Sequence, residues 1–214
     1  MDKQAESISN KPAELATDGQ GFSQYLSIAA VIVLVASVIW LFYQPQLSDG
    51  LSYDRSQFAN QSFTALSHAL LHLNMQHLLL NIAGLLCIFI LFNGAFISLW
   101  WLFALATSAI VSAYGMYYYS PETANCVGLS GALHGLFIYA VLRSRASVFW
   151  LVAIVIKLLV EQTGILPVDL MTERFIANPV IVDAHLWGAA GGFLFYGIVR
   201  SINMIMVIVE LNRE

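Results

Sequence analysis

The sequence predicts an all-α membrane protein built from six transmembrane helices, and three observations carry that prediction. Of its 214 residues 59% are hydrophobic and only 10% charged, whereas a soluble globular domain carries about 25% charged residues. Apolar stretches recur six times, four of them of membrane-span length, separated by clusters of turn-forming and charged residues. Lys and Arg collect in alternate loops, the asymmetry that orients helices in a bilayer. A net charge of −4 with no basic block excludes a nucleic-acid partner. Two cysteines, Cys87 and Cys126, form no disulfide framework and are expected as inert thiols.

Residues 1–24 are polar, with Lys3, Glu6, Lys11, Glu14 and Asp18, and are expected as a flexible cytoplasmic tail. The membrane domain then occupies 25–210, leaving 211–214 as a short C-terminal tail. Span one, 25–43, holds no charge and no small-residue cleavage site, so it reads as a retained helix rather than a signal peptide. In the loop that follows, Pro45, Asp49-Gly50 and Asp54-Arg55 mark turns. Phe58, Phe63, Leu66, Leu70 and Leu73 then recur at helical spacing among polar residues, which predicts an amphipathic helix lying in the membrane interface.

Span two, 75–92, opens with Gln76-His77 and carries Asn81; Asn93-Gly94 turns the chain into span three, 95–118. Tyr114, Tyr117, Tyr118 and Tyr119 form an aromatic belt at its end. Spans four, 128–142, and five, 148–160, are short for a hydrocarbon core about 30 Å thick. A short helix starts below the membrane surface, so its first residues can meet water within the bilayer. Lys157 and Glu161, at i,i+4, are expected as a surface ion pair reached by snorkelling. Span six is 183–209. Arg143, Arg145, Arg200 and Arg213 share a side with Lys3 and Lys11, which makes that side cytoplasmic despite Arg55 and Arg174 opposite. His77, Ser130 and His185 then all lie at the outer ends of their spans.

The stretch Gly128-Leu129-Ser130-Gly131 sets one hydroxyl where a polar loop becomes an apolar helix. A serine becomes a nucleophile when a base takes its proton, and His185, at the head of span six, is the candidate base. Gly128, Gly131 and Gly135 repeat at the same spacing as His185, Gly188 and Gly192. Small residues let two membrane helices approach backbone to backbone, so a crossing at these stripes brings Ser130 to His185. Unpaired N–H groups at the head of span four can face an oxyanion, and His77 and Asn81, on one face of span two, can add donors. Asn81 has packing through an interhelical hydrogen bond as its alternative role. Asp183 reads as a helix N-cap, which leaves a Ser–His dyad with no acidic third member.

The run from Ser67 to Asn81, with His68, His72, His77 and Asn81, resembles the signature of the rhomboid intramembrane serine proteases. Gly128-Leu129-Ser130-Gly131 resembles that family's nucleophile motif, and Ala184-His185 with Gly188 and Gly192 its base motif. The resemblance implies a six-helix rhomboid-like bundle with Ser130 as nucleophile, His185 as base, His77 and Asn81 with the Ser130 amide around the oxyanion, and no metal or organic cofactor. It makes His68 and His72 structural. His134 stands where the family commonly has a tyrosine stacked on the base; with Gly128 it is grouped as substrate-binding or base-supporting, packing being its other reading. The Trp-Arg pair common in the family's first loop is absent, Asp54 preceding Arg55. Gly-Leu-Ser-Gly-Ala-Leu-His-Gly and the short chain are most similar to the bacterial rhombosortase branch. That likeness implies membrane-anchored substrates with a C-terminal Gly-Gly motif, an apolar helix and a basic tail. It also implies the bacterial inner membrane, with the active site open to the periplasm. Competing readings are a haem- or metal-binding redox protein using His68 and His72 at i,i+4, and a catalytically inactive rhomboid-like binding protein. No His-Glu-x-x-His supports the former, and no inverted repeat supports a transporter.

Overall fold

The computed structural model describes residues 11–146, 148–165 and 169–213. Six long helices lie where apolar spans were expected: α1 (Lys11–Phe42), α2 (Met75–Leu91), α3 (Trp100–Tyr119), α4 (Ser130–Arg143), α5 (Val148–Thr163) and, after the short α6 (Asp169–Ile176), α7 (Val182–Leu211). By length and composition two segments can cross a membrane outright, Gly21–Phe42 and α7. A third arises if the helical turn Thr64–Leu70 and α2, bent by 99°, count as one span. Of the expected tail, the part from Lys11 onward is helical, while its first ten residues lie outside the described residues, as does Pro167 of the fifth loop.

α4 is the central rod. Its Leu133, Leu136, Ile138, Tyr139 and Val141 are all buried, and α2, α3, α5 and α7 pack around it. Such an all-round apolar helix has no polar face to give to water. The two glycine stripes meet as the spacing predicted. A β-carbon at Gly188 would lie 1.9 Å from the Gly131 carbonyl oxygen, and one at Gly192 1.9 Å from that of Gly135. Only hydrogen at these positions permits the α4–α7 crossing. Ser112 of α3 donates to the Ala184 carbonyl at 3.0 Å, pinning the head of α7 against α3.

The first loop differs from the expected interfacial helix. It breaks into single turns, Ser48–Leu51, Thr64–Ser67 and His68–Leu70, plus the two-residue strand β1 (Tyr53–Asp54). β1 pairs antiparallel with β2 (Asn125–Cys126), with Tyr53 opposite Cys126. Phe58 leaves the apolar stripe and is buried between Tyr53, Tyr114 and Tyr117, ring centroids 5.1 Å from each. Phe63, Leu66 and Leu73 stay exposed. Aromatic packing thus outcompetes helical periodicity, as tertiary contacts commonly override propensity. Arg55 donates to the Met116, Tyr117 and Ser120 carbonyls at 2.9, 2.7 and 3.2 Å. It therefore caps the C-terminus of α3, where a cation also suits the helix dipole.

The start of span three and the head of span six differ from expectation. Span three was expected from residue 95, but Asn93–Phe96 forms a 3-10 turn and α3 starts at Trp100. Ala95 and Phe96 are buried there, Phe96 against Trp101 at 5.1 Å, which stops the helix from running back. Asp183 sits in the first turn of α7 rather than at its cap, which is Ile181. The two cysteines are free as expected, and burial pushes the Cys126 thiol up to about 12.

Candidate active site

Ser130 is the first residue of α4, delivered there by the short β1–β2 pairing and by a bond from the Gly128 N–H to the His68 carbonyl at 3.0 Å. Gly128 has φ +125°, a conformation open to glycine and costly for other residues. A β-carbon on it would stand 2.5 Å from Cε1 of His77, so this glycine also makes room for that imidazole.

His185, in the first turn of α7, faces Ser130. The Ser130 Oγ–H donates to His185 Nε2 at 3.2 Å across the glycine crossing. The structure therefore brings these two predicted residues together. His134, one turn beyond Ser130, stacks on His185 with centroids 4.0 Å apart and planes at 16°. Its Nδ1–H donates to the Ser130 carbonyl at 2.8 Å, which holds the ring in place. The geometry contains the contact with the His185 ring, and His134 also lines the cavity that Ser130 and His185 share.

His77 and Asn81 are buried on α2 and open onto the same cavity as Ser130 and His185. Asn74 caps α2, its Oδ1 accepting from the His77 N–H at 2.9 Å, which fixes the first turn that carries the imidazole. Asn81 Nδ2 donates to the His77 carbonyl at 3.0 Å, leaving its second N–H free of that bond. The cavity, about 840 Å³, is lined by these polar groups. It continues as an apolar groove between α2, through Cys87, Ile88 and Leu91, and α5, through Trp150 and Ile154.

One residue of the cluster was misread from the sequence. Glu161 is only 7% exposed, and the His185 Nδ1–H donates to its Oε1 and Oε2 at 3.1 and 3.2 Å. The expectation of a Ser–His pair lacking any acidic neighbour is corrected: a carboxylate sits on the candidate base. The ion pair with Lys157 forms as the i,i+4 spacing predicted, but its acidic half is turned inward rather than lying on the surface. The signal was present in a weak form. An ionisable side chain on an apolar helix is costly and usually functional, yet ending span five at residue 160 put Glu161 outside it, whereas α5 continues to Thr163.

Donor atoms of His134, Glu161 and His185 lie within 4.8 Å of one another, the only such His/Cys/Asp/Glu group among the described residues. They do not fit a metal. Both His185 nitrogens are already engaged, by Ser130 and Glu161. Lone pairs of two stacked rings also run side by side rather than toward one point, as tetrahedral ligation needs. The rival reading of His68 and His72 as a haem or metal pair fares no better. His68 sits in a 3-10 turn with Nδ1 bonded to the Thr64 carbonyl, while His72 lies beyond that turn against His77, ring centroids 5.2 Å apart. The two share no helix face.

A search of curated proteins finds no match to the chain. The family model described as the rhomboid domain matches residues 59–202, a stretch that runs from the first loop into α7 and contains every group of the cluster. The chain is a multi-pass membrane protein and belongs to the rhomboid family of intramembrane serine proteases.

Proposed function

We propose that the protein is an active intramembrane serine endopeptidase of the rhombosortase branch, with six crossings, its N-terminus cytoplasmic and its site open to the periplasm of a bacterial inner membrane. The contact between Ser130 Oγ and His185 Nε2, on a cavity that continues as an apolar groove, carries this reading. α4 has 14 residues, which at 1.5 Å each span about 21 Å, short of a core about 30 Å thick. With its cytoplasmic end at the interface, Ser130 stands below the opposite surface, in a polar pocket reached by water.

Ser130 attacks the scissile carbonyl carbon while His185 Nε2 takes the hydroxyl proton. The tetrahedral oxyanion falls among His77, Asn81 and the first N–H groups of α4. Collapse breaks the C–N bond, the amine leaving with the proton from Nε2, and water then hydrolyses the acyl-enzyme by the reverse sequence. The substrates are membrane proteins with a C-terminal transmembrane anchor. A protease needs an extended bond, so the cut falls where the anchor helix is weakest, and a Gly-Gly step is the weakest helix former short of proline.

The test is a tail-anchored reporter in native membranes, with Gly-Gly before its apolar helix or with both glycines replaced by leucine. Cleavage of the first, at least about tenfold slower cleavage of the second, and labelling of Ser130 by a fluorophosphonate are expected, since each Gly costs about 1 kcal/mol of helix relative to Ala. A wild-type protein that neither cuts nor labels would sink the reading and favour an inactive binding protein. Gly128→Ala is expected to lower kcat about tenfold, because the added methyl displaces the His77 ring by a fraction of the roughly 1 Å that can cost about 10²-fold; unchanged kcat would remove His77 from the oxyanion site.

A further inference from the structure

Glu161 is not required for any step above, yet its carboxylate is 3% exposed and its two oxygens lie 3.1 and 3.2 Å from His185 Nδ1. Burying a carboxylate inside a bundle is expensive unless it is paired and hydrogen-bonded, and here it has both kinds of partner. Lys157, on the same helix, pairs with it and balances its charge. No other acidic side chain bonds to His185 among the described residues. His134 stacks on the face of the imidazole, while Glu161 meets its Nδ1 edge.

We propose that Glu161 is a positioning residue for His185, converting the Ser–His pair into a Ser130–His185–Glu161 relay of orientation. The inference rests on the protease reading above. A carboxylate accepts and does not donate, so the proton of neutral His185 must sit on Nδ1, and the lone pair must sit on Nε2, facing Ser130 Oγ. The opposite tautomer points an N–H at the serine and cannot act as base. When Ser130 loses its proton to Nε2, the ring becomes an imidazolium with both N–H groups, and the fixed negative charge at Nδ1 stabilises it. Glu161 itself takes no proton and touches no substrate atom.

Two constraints on the ring divide the work. His134 stacking restricts tilt, and the two-oxygen contact from Glu161 restricts rotation about the ring axis. Gln162 adds a mechanical reason for the contact to persist: its Nε2 donates to the Val182 carbonyl at 3.2 Å, tying the end of α5 to the head of α7 next to the pair.

The experiment measures kcat and KM on the Gly-Gly reporter, and the rate of fluorophosphonate labelling of Ser130, for wild type, Glu161→Gln, Glu161→Asp and Ser130→Ala. Thermal unfolding of each in detergent accompanies them. Glu161→Gln keeps the size of the side chain and one oxygen acceptor but loses the charge, and its amide can equally present an N–H that selects the wrong tautomer. It is expected to lower kcat about 10²–10³-fold, below the loss of about 10⁴ seen when an amide replaces the acid of a serine protease triad. KM should stay within about twofold, and the labelling rate should fall by the same factor as kcat. Glu161→Asp, with the charge restored on a shorter side chain, should recover at least about tenfold. A purely structural role would lower the folded fraction of all Glu161 variants together and leave kcat per folded molecule unchanged, which would overturn the proposal. Ser130→Ala inactive beside Glu161→Gln at full kcat would overturn the proposal alone; Ser130→Ala still cutting would overturn the protease reading and this inference with it.

Discussion

Ser130→Ala and His185→Ala are each expected to reduce reporter cleavage by about 10⁴–10⁶-fold, and the double variant to be no worse than either single one. One proton has one donor and one acceptor in this cluster, Ser130 Oγ and His185 Nε2, 3.2 Å apart. Removing either end removes the same step, so the losses overlap instead of multiplying. Any residual rate would come from substrate binding in the groove and from the proposed oxyanion donors, with water attacking in place of the serine. Ser130→Ala should also abolish fluorophosphonate labelling, whereas His185→Ala should slow it. Losses that multiply in the double variant, or cleavage within tenfold of wild type in either single one, would show that the two side chains do not work as a unit.

Gly188→Ala is the second large effect, and it is expected without touching a reactive atom. The added methyl would fall 1.9 Å from the Gly131 carbonyl oxygen and 2.5 Å from its carbon, both backbone atoms of a buried helix. Neither can swing aside as a side chain tip would, so α4 and α7 must separate. Gly131 adjoins Ser130 and Gly188 lies one turn beyond His185, so the separation opens the hydroxyl–imidazole contact directly. Overpacking of this kind costs about 1–3 kcal/mol, and a misplacement near 1 Å costs about 10²-fold in rate. Both should appear: a lower unfolding temperature in detergent and a lower kcat per folded molecule. Gly197→Ala is the control, since nothing lies within 4 Å of a β-carbon there; it should be neutral or slightly stabilising in mid-helix. A Gly188→Ala protein as stable and as active as wild type would mean that the crossing is looser than described.

The helices were legible because an apolar run of span length is a local signal, repeated in every residue of the run. Their ends were less so. α3 begins five residues later than expected because Ala95 and Phe96 are buried in a 3-10 turn, and α5 outlasts its apolar run, carrying Glu161 with it. The first loop was the poorest reading. Its helical spacing of Phe58, Phe63, Leu66 and Leu73 is real, but Phe58 is claimed by Tyr53, Tyr114 and Tyr117. Two of those partners lie more than fifty residues away in sequence, where no periodicity can register them. The Arg55 cap on α3 is hidden for the same reason.

Within the cluster, the residues on the two glycine stripes were the readable part. Stripe spacing on α4 and α7 is an intrahelical property, and two stripes of hydrogen-only positions have one economical use, the close crossing observed at Gly131–Gly188 and Gly135–Gly192. That was enough to place Ser130 opposite His185, while the stacking of His134 on the same ring was implied by the family resemblance. Glu161 was different. An i,i+4 pair with Lys157 reads identically whether it faces lipid headgroups or the bundle interior.

From the sequence alone came the membrane class, the helical rods, the glycine faces that join two of them, and the hydroxyl and imidazole those faces carry. Each is written in spacing along one helix, or in the composition of one run. Tertiary structure decided the rest: the rotation of α5 that turns Glu161 inward, and the loop packing that sets Gly128 beneath His77. The physical reason is that a helix's rotation about its own axis depends on what its neighbours leave unfilled, and that is a property of the assembled bundle rather than of any one stretch of chain.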